Sequence, residues 1–95
     1  MKNRFTDKVA IITGAAKGMG KTTATDMVRE GGTVVICDVD KEALESTDAE
    51  LRALGNRASA RYCDVSVRSE VEKLIHETCE EFGRLDILVN NAGLL

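Results

Sequence analysis

Thr13-Gly14-Ala15-Ala16-Lys17-Gly18-Met19-Gly20 follows the apolar run Val9-Ala10-Ile11-Ile12 and leads into a stretch that favours helix. A short β run, a glycine-rich turn and a helix start are the parts of a phosphate cradle. Glycine lets the backbone turn sharply and approach an anion with no Cβ in the way. The helix that follows presents unpaired N–H groups and the positive end of its dipole to that anion. Which phosphate-bearing ligand the turn serves depends on the rest of the chain.

Outward from the turn, apolar and amphipathic segments alternate through all 95 residues, with no proline, low-complexity tract or linker. The runs beginning at Val9 and at Val34, the latter reading Val34-Val35-Ile36-Cys37, are continuous and apolar, as in strands buried on both faces. Ala58-Ser59-Ala60-Arg61-Tyr62-Cys63 is a weaker strand interrupted by Arg61, and Leu85-Asp86-Ile87-Leu88-Val89-Asn90 is a strongly marked fourth. The first helix runs from about Gly18 to Glu30, with Met19, Ala24, Met27 and Val28 facing inward and Gly31-Gly32 ending it. Thr22 and Thr23 are poor helix formers within it. Asp40 caps a second helix whose stripe is Leu44, Leu51 and Leu54 and whose stop is Gly55. The third places Val71, Leu74, Ile75, Thr78 and Phe82 on one face, between Ser66 as N-cap and Gly83 as C-cap.

The order β-α-β-α-β-α-β predicts an α/β fold: a doubly wound parallel sheet with right-handed crossovers, truncated after its fourth strand. Residues 1–95 then form a single, partial domain. Such sheets bind ligands at the carboxyl ends of their strands, near the topological switch point. Residues 14–20, Asp38, Asp64 and residues 90–93 all fall at those ends.

Composition excludes other classes. A chain that is 43% hydrophobic and 31% charged has the balance of a soluble globular protein. Its net charge of −3 gives no electrostatic case for nucleic acid or an anionic membrane. No apolar run approaches the ~20 residues that span a bilayer. The segment Met1 to Lys8 lacks an apolar signal core, so the expected compartment is the cytoplasm. Three cysteines, Cys37, Cys63 and Cys79, with no C-x-x-C pair, argue against a disulfide framework or a zinc site. Cys37 and Cys63 read as small buried residues at strand ends. His76 and Cys79 lie three apart on a helix but have no second pair to complete a site, so no metal ligand is assigned.

Two ligands compete for the turn. The strict G-x-G-x-x-G fingerprint fails, because Thr23 stands where glycine or alanine belongs. Ala15-Ala16-Lys17-Gly18-Met19-Gly20-Lys21-Thr22 nearly satisfies the ATP/GTP P-loop pattern, with Ala15 replacing the first glycine. Lys21 and Thr22 would then reach phosphate and Mg²⁺, and Asp38 could hold the metal. Against this, Asp38 ends the second strand 18 residues after Gly20, where a carboxylate accepts hydrogen bonds from an adenosine ribose and repels a 2′-phosphate. Asp38 could instead cap the turn before the second helix, but Asp40 is better placed for that.

Together, Thr13-Gly14-x-x-x-Gly18-x-Gly20, Asp38, Cys63-Asp64-Val65 and Asn90-Asn91-Ala92-Gly93 resemble the N-terminal half of the short-chain dehydrogenase/reductase family, in order over essentially the whole chain. The resemblance implies a Rossmann-type sheet holding a nicotinamide dinucleotide. Thr13, Gly14, Ala16, Lys17, Gly18, Met19 and Gly20 would then form the turn around the pyrophosphate and adenosine side. Asp38, with Val39 beside it, would meet the adenosine ribose. Asp64 would bond the adenine amino group with the Val65 backbone alongside. Asn90 would lie near the ribose, and Ala92 and Gly93 would line the floor beneath the cofactor. Asn91 either contacts the cofactor or ties neighbouring strands together. NAD is the preferred cofactor, since Asp38 excludes a 2′-phosphate and Val39 is not basic. Lys17, where a basic residue of the family can assist a 2′-phosphate, keeps NADP possible.

The family's catalytic Ser and Tyr-x-x-x-Lys set lies beyond Asn-Asn-Ala-Gly, so no catalytic residue is assigned here. Tyr62, the only tyrosine, has Ser66 four residues later rather than lysine and reads as a packing residue or cofactor neighbour. The expectation is a fragment of an NAD(P)-dependent oxidoreductase that transfers hydride between nicotinamide and a small alcohol or carbonyl substrate. The full-length form would be a homo-oligomer and the 95-residue chain alone inactive. An apolar fourth strand without a neighbour and a small core point the same way. The alternatives are an ATP/GTP-binding protein using Lys21 and Thr22, and a non-catalytic dinucleotide-binding module whose missing sheet edge a partner supplies.

Overall fold

The computed structural model describes residues 4–54 and 58–91. Strands and helices alternate as β1 (Val9–Thr13), α1 (Gly18–Arg29), β2 (Thr33–Asp38), α2 (Lys41–Arg52), β3 (Ala58–Tyr62), α3 (Arg68–Phe82) and β4 (Ile87–Val89). All pairings are parallel and the sheet order is β3-β2-β1-β4. The chain therefore winds outward from β1 through β2 to β3, then returns to the other side of β1. The switch point lies between β1 and β4, beside the glycine-rich turn.

The continuous apolar runs of β1 and β2 serve a sheet covered on both faces. Ala10, Ile12, Val34 and Ile36 pack against Ala24, Met27 and Val28 of α1 and Leu44 and Leu51 of α2. Ile11, Val35 and Cys37 face the opposite side, toward Leu74 of α3 and Cys63. This period-two division fixes the strand register, because a one-residue slip would turn each set to the wrong layer. Cys37 and Cys63 are both buried, and burial pushes the Cys37 thiol up to about 12, so it packs and does not react.

Several helix ends follow the sequence. Asp40 caps α2 by accepting from the Ala43 N–H at 3.1 Å. Gly83 is the left-handed C-cap of α3, donating its N–H to Cys79. Past α1, Gly31 donates to the Val28 carbonyl and Gly32 to that of Met27, which closes the helix with a Schellman pair. Thr22 and Thr23 are accommodated because each hydroxyl donates to the carbonyl four residues back.

Other expectations are corrected. Met19 does not face inward: it is 79% exposed, because it falls on the outer face of α1 with Thr22, Asp26 and Arg29, opposite the buried Ala24, Met27 and Val28. Leu54 lies past the end of α2 and is exposed; Gly55, its expected stop, is outside the described residues. Ser66 is not the N-cap of α3; that position is Val67, and the Ser66 hydroxyl donates to Asp64 Oδ1 instead. Tyr62 does not pack but stands exposed on edge strand β3. The fourth strand pairs over three residues only. Asp86 takes over the ladder before it, its N–H donating to the Val9 carbonyl and its Oδ2 accepting from the Val9 N–H, both at 2.9 Å.

Among the described residues, no helix is long and apolar enough to cross a membrane. Nor do three or more His, Cys, Asp or Glu side chains among them gather into a group that could hold a metal.

Candidate cofactor-binding site

β1 delivers the chain to the turn at Thr13, and Gly14 reverses it with φ 61°. The Ala15 N–H bonds the Cys37 carbonyl at 3.2 Å, and the Ala15 and Ala16 methyls are buried in the core. The middle of the turn is thus fixed to the sheet. Lys17 is the extended N-cap of α1, with no side-chain cap bond, and the first turn of the helix carries no acidic residue. The leading N–H groups of α1 are left to an external anion, with no fixed negative charge of their own turn to oppose it.

Gly18 and Gly20 are required for different reasons. Gly18 has φ +65° with open space where a Cβ would point. Gly20 has an ordinary φ but no room: a Cβ would lie 2.4 Å from the Gly14 carbonyl oxygen and 2.9 Å from Asn91 Nδ2. The start of α1 therefore lies directly against the turn and the end of β4.

Asp38 ends β2 with both carboxylate oxygens engaged. Oδ2 accepts from the Ala16 N–H at 3.1 Å and Oδ1 from the Asp40 N–H at 3.0 Å. A carboxylate offers about four lone-pair sites, so acceptor capacity remains on both oxygens. Val39 beside it is exposed. The Lys17 ammonium reaches Asp40 at 3.5 Å, both side chains solvated. From the end of β3, Asp64 Oδ1 accepts from the Ser66 hydroxyl at 2.7 Å and the Ser66 N–H at 3.0 Å, which hold its carboxyl below the usual range. Glu70 Oε1 in turn accepts from the Asp64 N–H at 2.9 Å. Gly14, Asp38, Val39, Asp64 and Val65 line one cleft of about 250 Å³, floored in part by Cys63. The residues expected from three separate strand ends are thus brought together.

The end of β4 joins them from the other side. Thr13 Oγ1 accepts from the Asn91 N–H at 2.9 Å and lies 3.3 Å from Asn90 Oδ1. Asn91 Nδ2 donates to the Gly14 carbonyl at 3.2 Å. Of the two roles open to Asn91, tying strands together is the one its amide performs here. Ala92 and Gly93 lie outside the described residues. Lys21, central to the P-loop alternative, donates to Glu50 of α2 at 3.0 Å, and Thr22 to the Gly18 carbonyl. That reading would have both reach phosphate and Mg²⁺, whereas here Lys21 is paired with a neighbouring helix and Thr22 with its own helix.

Sequence reasoning missed three supporting side chains. Thr47 of α2, 1% exposed, donates to the Ala16 carbonyl at 2.7 Å. The signal was available: Thr47 is a hydroxyl on the face of Leu44 and Leu51, at core spacing. Glu70 and Ser66 were also missed as partners of Asp64, and only the short spacing among the three hinted at it.

A four-stranded parallel sheet with alternating helices and a glycine-rich turn at the switch point defines a Rossmann-type nucleotide-binding fold. The chain belongs to the short chain dehydrogenase family, whose family model matches residues 8–95, and is thereby related to oxidoreductases. It is 45% identical over 91 residues to the meso-2,3-butanediol dehydrogenase of Serratia marcescens, covering 96% of this chain and 36% of that one. A solved short chain dehydrogenase from Mycobacterium smegmatis superposes with a TM-score of 0.90 at 45% identity, over 97% of this chain and 38% of that one. NAD⁺-bound xylitol dehydrogenase gives a TM-score of 0.91 at 35% identity, over 96% of this chain and 35% of that one. The chain therefore spans little more than a third of the length of such relatives and covers their N-terminal part.

Proposed function

We propose that these residues form the cofactor-binding half of an NAD-dependent dehydrogenase or reductase acting on a small alcohol or carbonyl compound. The observation that carries this reading is Asp38, set at the end of β2 in the same cleft as Gly14 and Asp64. The leading N–H groups of α1 at Gly18, Met19 and Gly20 hold the pyrophosphate, and the space left by the absent Gly20 side chain lets the turn lie close beneath it. Asp38 accepts from the adenosine ribose hydroxyls with its remaining lone pairs and opposes a 2′-phosphate by like charge. Asp64, held ionised by Ser66, accepts from the adenine amino group, with Val65 alongside. In this reading Asn90 contributes near the adenosine ribose, and Ala92 and Gly93 line the floor beneath the cofactor. The bound dinucleotide would supply the hydride chemistry, and this chain positions it.

NAD is favoured over NADP because Asp38 opposes a 2′-phosphate and Val39 beside it is not basic, while Lys17, which could assist one, is within reach of Asp40. The substrate class follows relatives such as the butanediol and xylitol dehydrogenases. By the family resemblance, turnover needs the Ser and Tyr-x-x-x-Lys set, so it is expected of protein carrying that set and not of these 95 residues alone. Fluorescence titration with NADH and NADPH tests the cofactor. NADH should bind at least about tenfold more tightly, equivalent to about 1.4 kcal/mol. Tighter NADPH binding overturns the NAD preference, and binding of neither overturns the proposed function.

A further inference from the structure

Ala16 is held from both sides. Its N–H donates to Asp38 Oδ2 at 3.1 Å and its carbonyl accepts from Thr47 Oγ1 at 2.7 Å. Thr47 sits 31 residues away, in the middle of α2, and its hydroxyl is buried beneath the turn. Leu44 and Leu51 on the same helix face enter the apolar core, so an aliphatic side chain at position 47 would be the ordinary choice. A hydroxyl buried there is destabilising unless it is hydrogen-bonded.

Helical threonines usually return their hydroxyl to the carbonyl four residues back, and Thr22, Thr23, Thr25 and Thr78 do so here. Thr47 instead spends its hydrogen on another element. The bond is short and dry, and it lands one residue before the N-cap of α1. Ala15 is already fixed by the Cys37 carbonyl, so fixing Ala16 sets the last peptide plane before the chain leaves the core. Lys17 and the leading N–H groups of α1 take their direction from that plane.

We propose that Thr47 is a positioning residue of the cofactor site. Through the Ala16 carbonyl, and without touching the cofactor, it holds the start of α1 in the orientation that receives the pyrophosphate. This inference rests on the dinucleotide reading given above.

Thr47→Val replaces the hydroxyl by a methyl of similar size and leaves the Ala16 carbonyl buried without its donor, whereas Thr47→Ser restores the donor. NADH affinity of the folded protein should fall about tenfold in Thr47→Val and stay within about threefold of the parent in Thr47→Ser. A role confined to stability would lower the melting temperature without separating the two variants in affinity. In the ligand-free protein, amide exchange at Ala15 and Ala16, whose N–H groups bond the Cys37 carbonyl and Asp38, should quicken in Thr47→Val and return toward the parent rate in Thr47→Ser. If Thr47→Val does not fold, Thr47→Cys, whose thiol is a weak donor, takes its place and should also bind NADH more weakly. Parent-like affinity in the variant without a good donor, or equal damage in Thr47→Ser, overturns the proposal. If the parent binds neither NADH nor NADPH, the dinucleotide reading falls, and exchange at Ala15 and Ala16 decides the positioning role: quickened exchange supports it and unchanged exchange overturns it.

Discussion

A methyl group at residue 20 would have to displace backbone. Its nearest backbone neighbours would be the Gly14 carbonyl oxygen at 2.4 Å and Ala15 Cα at 3.0 Å, neither of which can rotate away. At residue 18 the same methyl meets nothing within 4 Å, and only the left-handed φ of +65° opposes it. The two substitutions therefore separate strain from contact. Gly18→Ala should cost about 1–2 kcal/mol of backbone strain. Gly20→Ala should cost about 1–3 kcal/mol through overpacking and also push the start of α1 off the turn. Urea unfolding should show both losses, with the larger fall in NADH affinity at Gly20→Ala; a Gly20→Ala protein of parent stability and affinity would refute the close-contact account. The glycine spacing in the sequence revealed the turn but not this difference, since φ and clearance depend on how α1 meets β4. Asp38 is similar. A carboxylate at a strand end was legible, while its bonds to the Ala16 and Asp40 N–H groups depend on where the turn folds back.

Elements with continuous apolar runs or a clear helical period were legible because burial on two faces, or on one stripe, dictates composition. β1, β2, α2 and α3 are of this kind. Their ends were less legible where a side chain replaces a backbone partner. Ser66 looked like a cap but serves Asp64, and the run from Leu85 looked like a long strand although Asp86 meets β1 partly through its carboxylate. That carboxylate has a measurable consequence. The Arg84 guanidinium, then the Val9 N–H, hold Asp86 down at about 2 from an ordinary 3.8. In the unfolded chain the group takes up its proton near the ordinary value, while in the folded protein it stays ionised to lower pH. The stabilisation it provides is thus complete above about pH 4 and is lost as pH falls through about 2. Asp86→Asn should flatten the decline of melting temperature between pH 4 and pH 2, leaving the contributions of Asp40 and Asp64, which are also held low. An unchanged decline would show that the Arg84–Asp86–Val9 junction does not couple to folding.

At the scale of the whole molecule, the sheet is most secure at its centre and least secure where the site closes. β1 and β2 are buried on both faces, whereas β4 pairs over three residues and Leu88 is 53% exposed. Ile11, wholly buried between β2 and β4, should cost about 2–5 kcal/mol when cut to alanine. Leu88→Ala, at a surface position, should stay within about 0.5 kcal/mol. Native-state hydrogen exchange should follow the same order, with the amides of Ile11 and Val35 slowest and those of β4 fastest among the strands. Yet Asn91, at the end of β4, bonds both Thr13 and Gly14 and so fastens this least secure strand to the glycine-rich turn. Under the proposed function, a ligand seated on the turn would favour the arrangement in which that fastening is made and stabilise it by mass action. Saturating NADH should therefore slow exchange in β4 by a larger factor than in β2, although β2 supplies Asp38. Equal slowing of both strands would mean that the cofactor stabilises only the molecule as a whole. Slowing confined to β2 would mean that the Asn91 fastening plays no part in binding.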